Sequence, residues 1–377
     1  MDSLSLVEAR VGDGAVSRRY RFDFALIILT GNITRYRILR PRVEDDTSVD
    51  ARWFPIRTWF AADPLSFLPG SLRLRLRHIL DTHPLYLPSR ADATLIHAFE
   101  TYYLYTIAQR LLGRKVAIVN NPDGGLPVPK GQWLRDWQLR FAVRETDAFV
   151  FWSQGFAKQA KELYPSIQDE KIHVIHPGID LESWSLRPPR EPGERFRLLF
   201  VGGDLLRKGA DTLLDAYEKY LTDTCELHIA TQSAYMPREF RERAERLPNV
   251  HLHLDYTSGS EPLRALFRES DAFVLPTKND VSSWVAIESL ATGLPVIISA
   301  VGGIPEIVVD EETGLLIPPG SPEAVAAAVN RLRTSPELRE KCSRQGRAHV
   351  EANFDAAKNT ARLLSLMKSL SDVRHSR

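Results

Sequence analysis

A chain of 377 residues, 44% hydrophobic and 26% charged, is of soluble globular type, too long for one ordinary core and suited to two domains. Its formal net charge of +1 gives no electrostatic support to a nucleic-acid partner. The two cysteines, Cys225 and Cys342, stand in unrelated contexts and make neither a disulfide framework nor a metal-ligand spacing.

No apolar run approaches the roughly 18–20 residues of a membrane span, and the opening MDSLSLVEARVGDG lacks an apolar signal core. The expectation is an unsecreted, cytoplasmic protein. Up to Arg114 every lysine or arginine is an arginine, and lysine first appears at Lys115. The segment SLRLRLRHIL (71–80) alternates arginine with leucine. It reads either as a basic surface that meets anionic lipid or a phosphorylated acceptor, or as a solvated helix face packing its leucines inward. The first alternative allows peripheral contact with the inner face of a membrane through a basic N-terminal domain.

In chain order, residues 1–21 carry no clear period and read as an edge strand or a lead-in. DFALIILTG (23–31) is the first buried strand, and ITRYRILRPR (33–42) a helix that Pro41 should stop. ARWFPIRTW is strand-like, a helical region follows Pro64, and DATLIHAF (92–99) is a strand. YYLYTIAQRLLG has helical spacing with Gly113 as its stop, KVAIVNN is a strand, QWLRDWQLRFAVRE a helix and DAFVFWS a strand. GFAKQAKELY is a helix and KIHVIHPGID a strand. This βα alternation predicts a parallel, doubly wound sheet.

LRPPREPGER (186–195), with three prolines and a glycine, reads as a linker. The alternation then restarts: FRLLFVGG strand, ADTLLDAYEKYL helix, CELHIA strand, FRERAERL helix, NVHLHLD strand, EPLRALFRES helix, DAFVLP strand. LPVIIS and GLLIPP are further strands, followed by helices from Pro322 to Asn353 and a final amphipathic segment, FDAAKNTARLLSLMKSL. The domains predicted are 1–185 and 195–355, with a C-terminal helix over 356–377 packing back on the first. Two βα domains of similar size imply a cleft reached from both sides.

The chemistry concentrates in residues 271–306. After the strand DAFVLP comes a polar loop with Asp280, a cap at Ser282 or Ser283, and Glu288 within the first turns of the next helix. LPVIIS leads to Gly302-Gly303, and Pro305 suits the first position of another helix. FVGGDLLRKG (200–209) is a glycine-rich turn between strand and helix, with Arg207 and Lys208 adding positive charge. Such a turn either holds phosphate on its backbone amides or is a tight turn with a solvated basic pair, since it lacks a full dinucleotide or Walker fingerprint. Carboxylates near a sheet's C-terminal edge accept hydrogen bonds from vicinal sugar hydroxyls.

Those residues carry a resemblance. DVSSWVAIESLATGLPVI with its Asp280-x7-Glu288 spacing, GGIPE, FVGGDLLRKG, HPGID and ETGLLIPPG are similar to the motifs of retaining glycosyltransferases of family 4, over most of 147–355. The resemblance implies an α/β GT-B fold, two Rossmann-like doubly wound parallel-sheet domains facing across a cleft. It implies a hexosyltransferase-like enzyme taking a UDP-, GDP- or ADP-sugar as co-substrate, an acceptor hydroxyl on a glycan, glycolipid or small molecule, and no required cofactor or metal. Glu288 would hold the ribose hydroxyls, Asp280 with the amides of Val281, Ser282 and Ser283 the sugar, Lys208 would neutralise the diphosphate, and Trp284 would be a further donor-binding residue. Gly202 and Gly203 belong to the same donor site. The family has an arginine where this chain has Gly203, and Arg207 stands in for it. Asp280 replaces the usual glutamate and is one methylene shorter.

In the first domain, Gly31 and Asn32 match the turn that approaches the diphosphate. Where relatives carry a histidine, this chain has Asn120, Asn121 and Asp123, so Asn121 or Asp123 would replace it. His97, at a strand end facing the cleft, reads either as a ligand contact or as a structural residue, and His176 as structural. The rival readings are a GT-B sugar epimerase or phosphorylase and a catalytically silent GT-B binding protein. The nucleotide base, the acceptor and the oligomeric state are not encoded in these motifs.

Overall fold

The computed structural model describes residues 18–28, 33–57, 91–97, 105–106, 108–122, 126, 128–129, 131, 133–188, 193–280 and 282–376. Two six-stranded sheets form the architecture, and every strand pair in both is parallel. The first comprises β1 (Tyr20–Ile28), β2 (Val49–Arg57), β3 (Ala93–Ile96), β4 (Ala117–Asn120), β5 (Ala148–Phe151) and β6 (Ile172–Val174), in the order β2-β1-β3-β4-β5-β6. The second comprises β7 (Phe196–Val201), β8 (Cys225–Thr231), β9 (Val250–Leu254), β10 (Ala272–Leu275), β11 (Val296–Ser299) and β12 (Gly314–Ile317), in the order β12-β11-β10-β7-β8-β9. Strands buried on both faces need continuous apolar runs, which is why AFVL and VIIS have no polar alternation. Pro55 is tolerated because β2 lies at a sheet edge.

Helix α1 (Ile33–Glu44) corrects one expectation, since it runs through Pro41 instead of stopping there. Leu39 and Val43, on either side of the proline, are buried in the first core with Phe22 and Phe24. Their burial, at about 1.5–3 kcal/mol per large side chain, offsets the backbone bond that Pro41 cannot make. In the first half, α2 (Trp133–Glu145) and α3 (Gln154–Leu163) precede the flanking strands. The second half adds α4 (Ala210–Ala216), α5 (Arg238–Arg246), α6 (Glu261–Glu269), α7 (Trp284–Ala291), α8 (Ile304–Ile307), α9 (Pro322–Thr334) and α10 (Pro336–Asn353).

The last helix, α11 (Ala356–Ser376), leaves the second half and places Leu363, Leu364 and Met367 in the first core beside Phe22, Leu95 and Val119. Its return is fixed at Gly178, where a Cβ would lie 2.3 Å from the Ala356 Cα. Ile179 N donates to Phe354 O at 2.7 Å, and Ala356 N to Ile179 O at 3.1 Å. Among the described residues no helix is long and apolar enough to cross a membrane.

Candidate active site at the edge of the second sheet

β7 and β10 are neighbours in the sheet, so the loops that follow them meet at its C-terminal edge. The loop after β7 turns at Gly209, whose φ of +77° favours glycine and whose Cβ would lie 1.9 Å from Pro276 O. That close approach presses Arg207 and Lys208 against the residues after β10. Lys278 N donates to Arg207 O at 2.9 Å. Lys208 Nζ is ion-paired with the Asp280 carboxylate, both side chains being largely buried. The Arg207 guanidinium instead binds Asp204 Oδ2 of its own loop at 3.2 Å and Asn279 O of the loop after β10 at 2.9 Å, so it bridges the two loops.

Ser283, not Ser282, caps α7: its Oγ accepts from Ala286 N at 3.3 Å. The helix then carries Glu288 inward, and burial pushes its carboxyl up to about 8. Glu288, Trp284, Gly202 and Gly203 line one cleft of about 310 Å³, shared with Gln232 and Tyr256. Lys208 borders the same glycines, since a Cβ on Gly202 would lie 3.4 Å from its Cγ. A glycine turn, a buried carboxyl and a cation therefore converge on a space of small-ligand size.

Trp284 also reaches the first half, meeting Trp152 edge-on at 6.3 Å between ring centroids. A second cavity of about 50 Å³ lies there, bounded by Asn121, Trp152, His176 and Trp284. The Asn121 amide donates to Val150 O, and buried His97 lies 6.0 Å from Trp152, ring to ring. Asn120 is fully buried. The geometry thus gathers Gly202, Gly203, Lys208, Asp280, Ser283, Trp284 and Glu288, engages Arg207 with Asp204 and Asn279, and sets Asn121 and His97 beside Trp152. Gly31, Asn32, Asp123 and Val281 lie outside the described residues.

Glu306 has a place that its motif did not announce. Its Oε2 accepts from Gln154 N at 2.7 Å and its Oε1 from Gly155 N at 2.8 Å, at the N-terminus of α3 in the other half. A carboxylate there satisfies free amides and favours the helix dipole. Gln232 and Tyr256 carry no motif, yet both line the cleft because they follow strands that end at this edge.

Two facing doubly wound sheets with this cleft define the GT-B class. Residues 35–183 match Glycosyltransferase Family 4, and residues 185–349 match glycosyl transferases group 1. The chain belongs to this family of glycosyltransferases. It is 30% identical to a Mycobacterium tuberculosis glycogen synthase over 223 residues, 56% of this chain and 52% of that one. The chain spans about half the length of such curated relatives. Its fold is that of a Rickettsia africae glycosyltransferase (TM-score 0.74, 15% identity, 93% and 98% of the two chains). It is also that of an Anabaena protein solved with UDP-glucose (TM-score 0.65, 14% identity, 93% and 100%).

Proposed function

We propose that the protein transfers a sugar from a nucleotide-diphosphate sugar to an acceptor hydroxyl with retention of anomeric configuration. The observation that carries this reading is the convergence of Glu288, the Lys208–Asp280 pair and the Gly202-Gly203 turn on one cleft edge. Ionised Glu288 would accept two hydrogen bonds from the ribose hydroxyls, which replace the hydration that burial removes. Lys208 would stabilise charge on the departing diphosphate, and Asp280 holds that ammonium in place beforehand. Attack from the same face, with the leaving phosphate taking the acceptor proton, preserves configuration and needs no separate nucleophile. No metal is required in this scheme.

Residues 195–355 would form the donor domain, 1–185 the acceptor domain, and 356–377 the segment that closes back on the latter. The likeness to a protein solved with UDP-glucose favours a uridine donor first among UDP-, GDP- and ADP-sugars. The acceptor side falls on 31–42 and 53–80, in a cytoplasmic protein that contacts the membrane peripherally. The test is a thermal-shift screen of nucleoside diphosphates and their sugars, followed by product analysis with Glu288→Ala. Loss of transfer with an intact fold is expected. Full activity in that variant would sink the assignment.

A further inference from the structure

Sugar transfer does not use the histidines of β8 and β9. Register pairs His228 with His251 and Ala230 with His253. Side-chain alternation therefore puts Glu226, His228, His251 and His253 on one face of the sheet. The His228 ring centroid lies 4.6 Å from that of His251 and 5.1 Å from that of His253. One ligand atom from each of Glu226, His228 and His251 lies within 4.8 Å of the others.

His228 is 8% exposed, and its Nε2 is buried with no hydrogen-bond partner among the described residues. That nitrogen is 3.6 Å from Glu226 Oε1, too long for a hydrogen bond. It suits two ligands of one ion, because donors bound at 2.0–2.1 Å around a tetrahedral Zn²⁺ stand about 3.3 Å apart. His228 Nδ1 lies 2.9 Å from His253 Nε2. With the proton on Nδ1, His253 orients the ring from behind and Nε2 turns a lone pair towards the carboxylate. Such an outer partner is what a metal-bound histidine normally has.

We propose that Glu226, His228 and His251 form a binding site for a divalent transition metal of Zn²⁺ type, with His253 as the positioning residue. Imidazole and carboxylate donors suit that class of ion. Arg197 Nε donates to Glu226 Oε1, the oxygen that faces His228 Nε2, and its second nitrogen reaches Glu269 Oε2 at 3.2 Å, so a bound ion would share the Glu226 carboxylate with this guanidinium. β9 is the outermost strand, and β8 runs on to Thr231 in the cleft wall. The ion would pin this edge of the donor half and take no part in the transfer chemistry.

The experiment is calorimetric titration of Zn²⁺ into the full chain after chelator treatment, with melting curves in parallel. One ion per chain and a raised melting temperature are expected. H251A and E226Q should each weaken binding at least tenfold, and H253A should weaken it by about 10–100-fold. His251 is exposed, so H251A tests the site without emptying the core, and circular dichroism checks each variant. No saturable binding by the parent chain, or parent-like affinity in folded H251A and E226Q, overturns the proposal.

Discussion

The Lys208 ammonium is ion-paired with the Asp280 carboxylate across the loops that leave β7 and β10. Asp280 is 8% exposed, so Lys208→Met strands a nearly buried charge. We expect a stability loss of about 1–3 kcal/mol and a fall in transfer of about 10²-fold or more. Adding Asp280→Asn removes the stranded charge, so the double variant should be more stable than the sum of the single losses predicts. Urea unfolding of the four proteins measures this coupling, and simple additivity would show that the pair contributes none.

Glu288 makes stability depend on pH. Its folded value of about 8 exceeds the unfolded one, so the folded state holds a proton that the unfolded state has released. Its contribution is fully present below the ordinary carboxylate range and is lost as pH rises towards about 8. The nucleotide-free protein should therefore lose stability over that window, and Glu288→Gln should flatten the decline. Denaturant titrations of both proteins from mildly acidic to mildly basic pH check this.

Donor binding should release that proton if the ribose hydroxyls meet the ionised carboxyl. Below about pH 8, calorimetric enthalpies of nucleoside diphosphate binding should then vary with the ionisation enthalpy of the buffer. Glu288→Gln should abolish the variation. Buffer-independent enthalpies in the parent chain would assign Glu288 another partner.

Gly209→Ala should be severe. The new Cβ would have to share space with Pro276 O, at 1.9 Å, on a backbone with φ of +77°. A loss of more than about 1–3 kcal/mol is expected, with displacement of Lys208 and weaker donor binding. Thermal melting with and without nucleotide reads both effects.

Glu306→Gln removes the charge from the N-terminus of α3 and replaces one of the two acceptor oxygens by an NH2, so either Gln154 N or Gly155 N loses its partner. It should cost about 1–3 kcal/mol, and Glu306→Ala more, because both amides then lose their acceptor. Equal melting temperatures for all three proteins would show that this contact between the halves does not contribute to stability.

Local chemistry determined much of what was legible in the chain. The βα alternation, the buried strands AFVL and VIIS, a serine cap before Trp284 and the place of Glu288 in the first turns of that helix depend on neighbours within about one or two turns, and residue order records such neighbours directly. At Pro41 local propensity opposes a helix, while Leu39 and Val43 answer to a core assembled from distant strands, and the core prevails. Only the tertiary structure decided that Lys208 meets Asp280, that Glu306 caps a helix of the other half, that Arg207 reaches Asn279 across the two loops, and that four side chains of β8 and β9 share one face. The physical reason is distance along the chain. Lys208 and Asp280 are 72 residues apart and Gln154 and Glu306 are 152 apart, and contacts of that span arise only once the sheet order and the return of α11 bring their elements together.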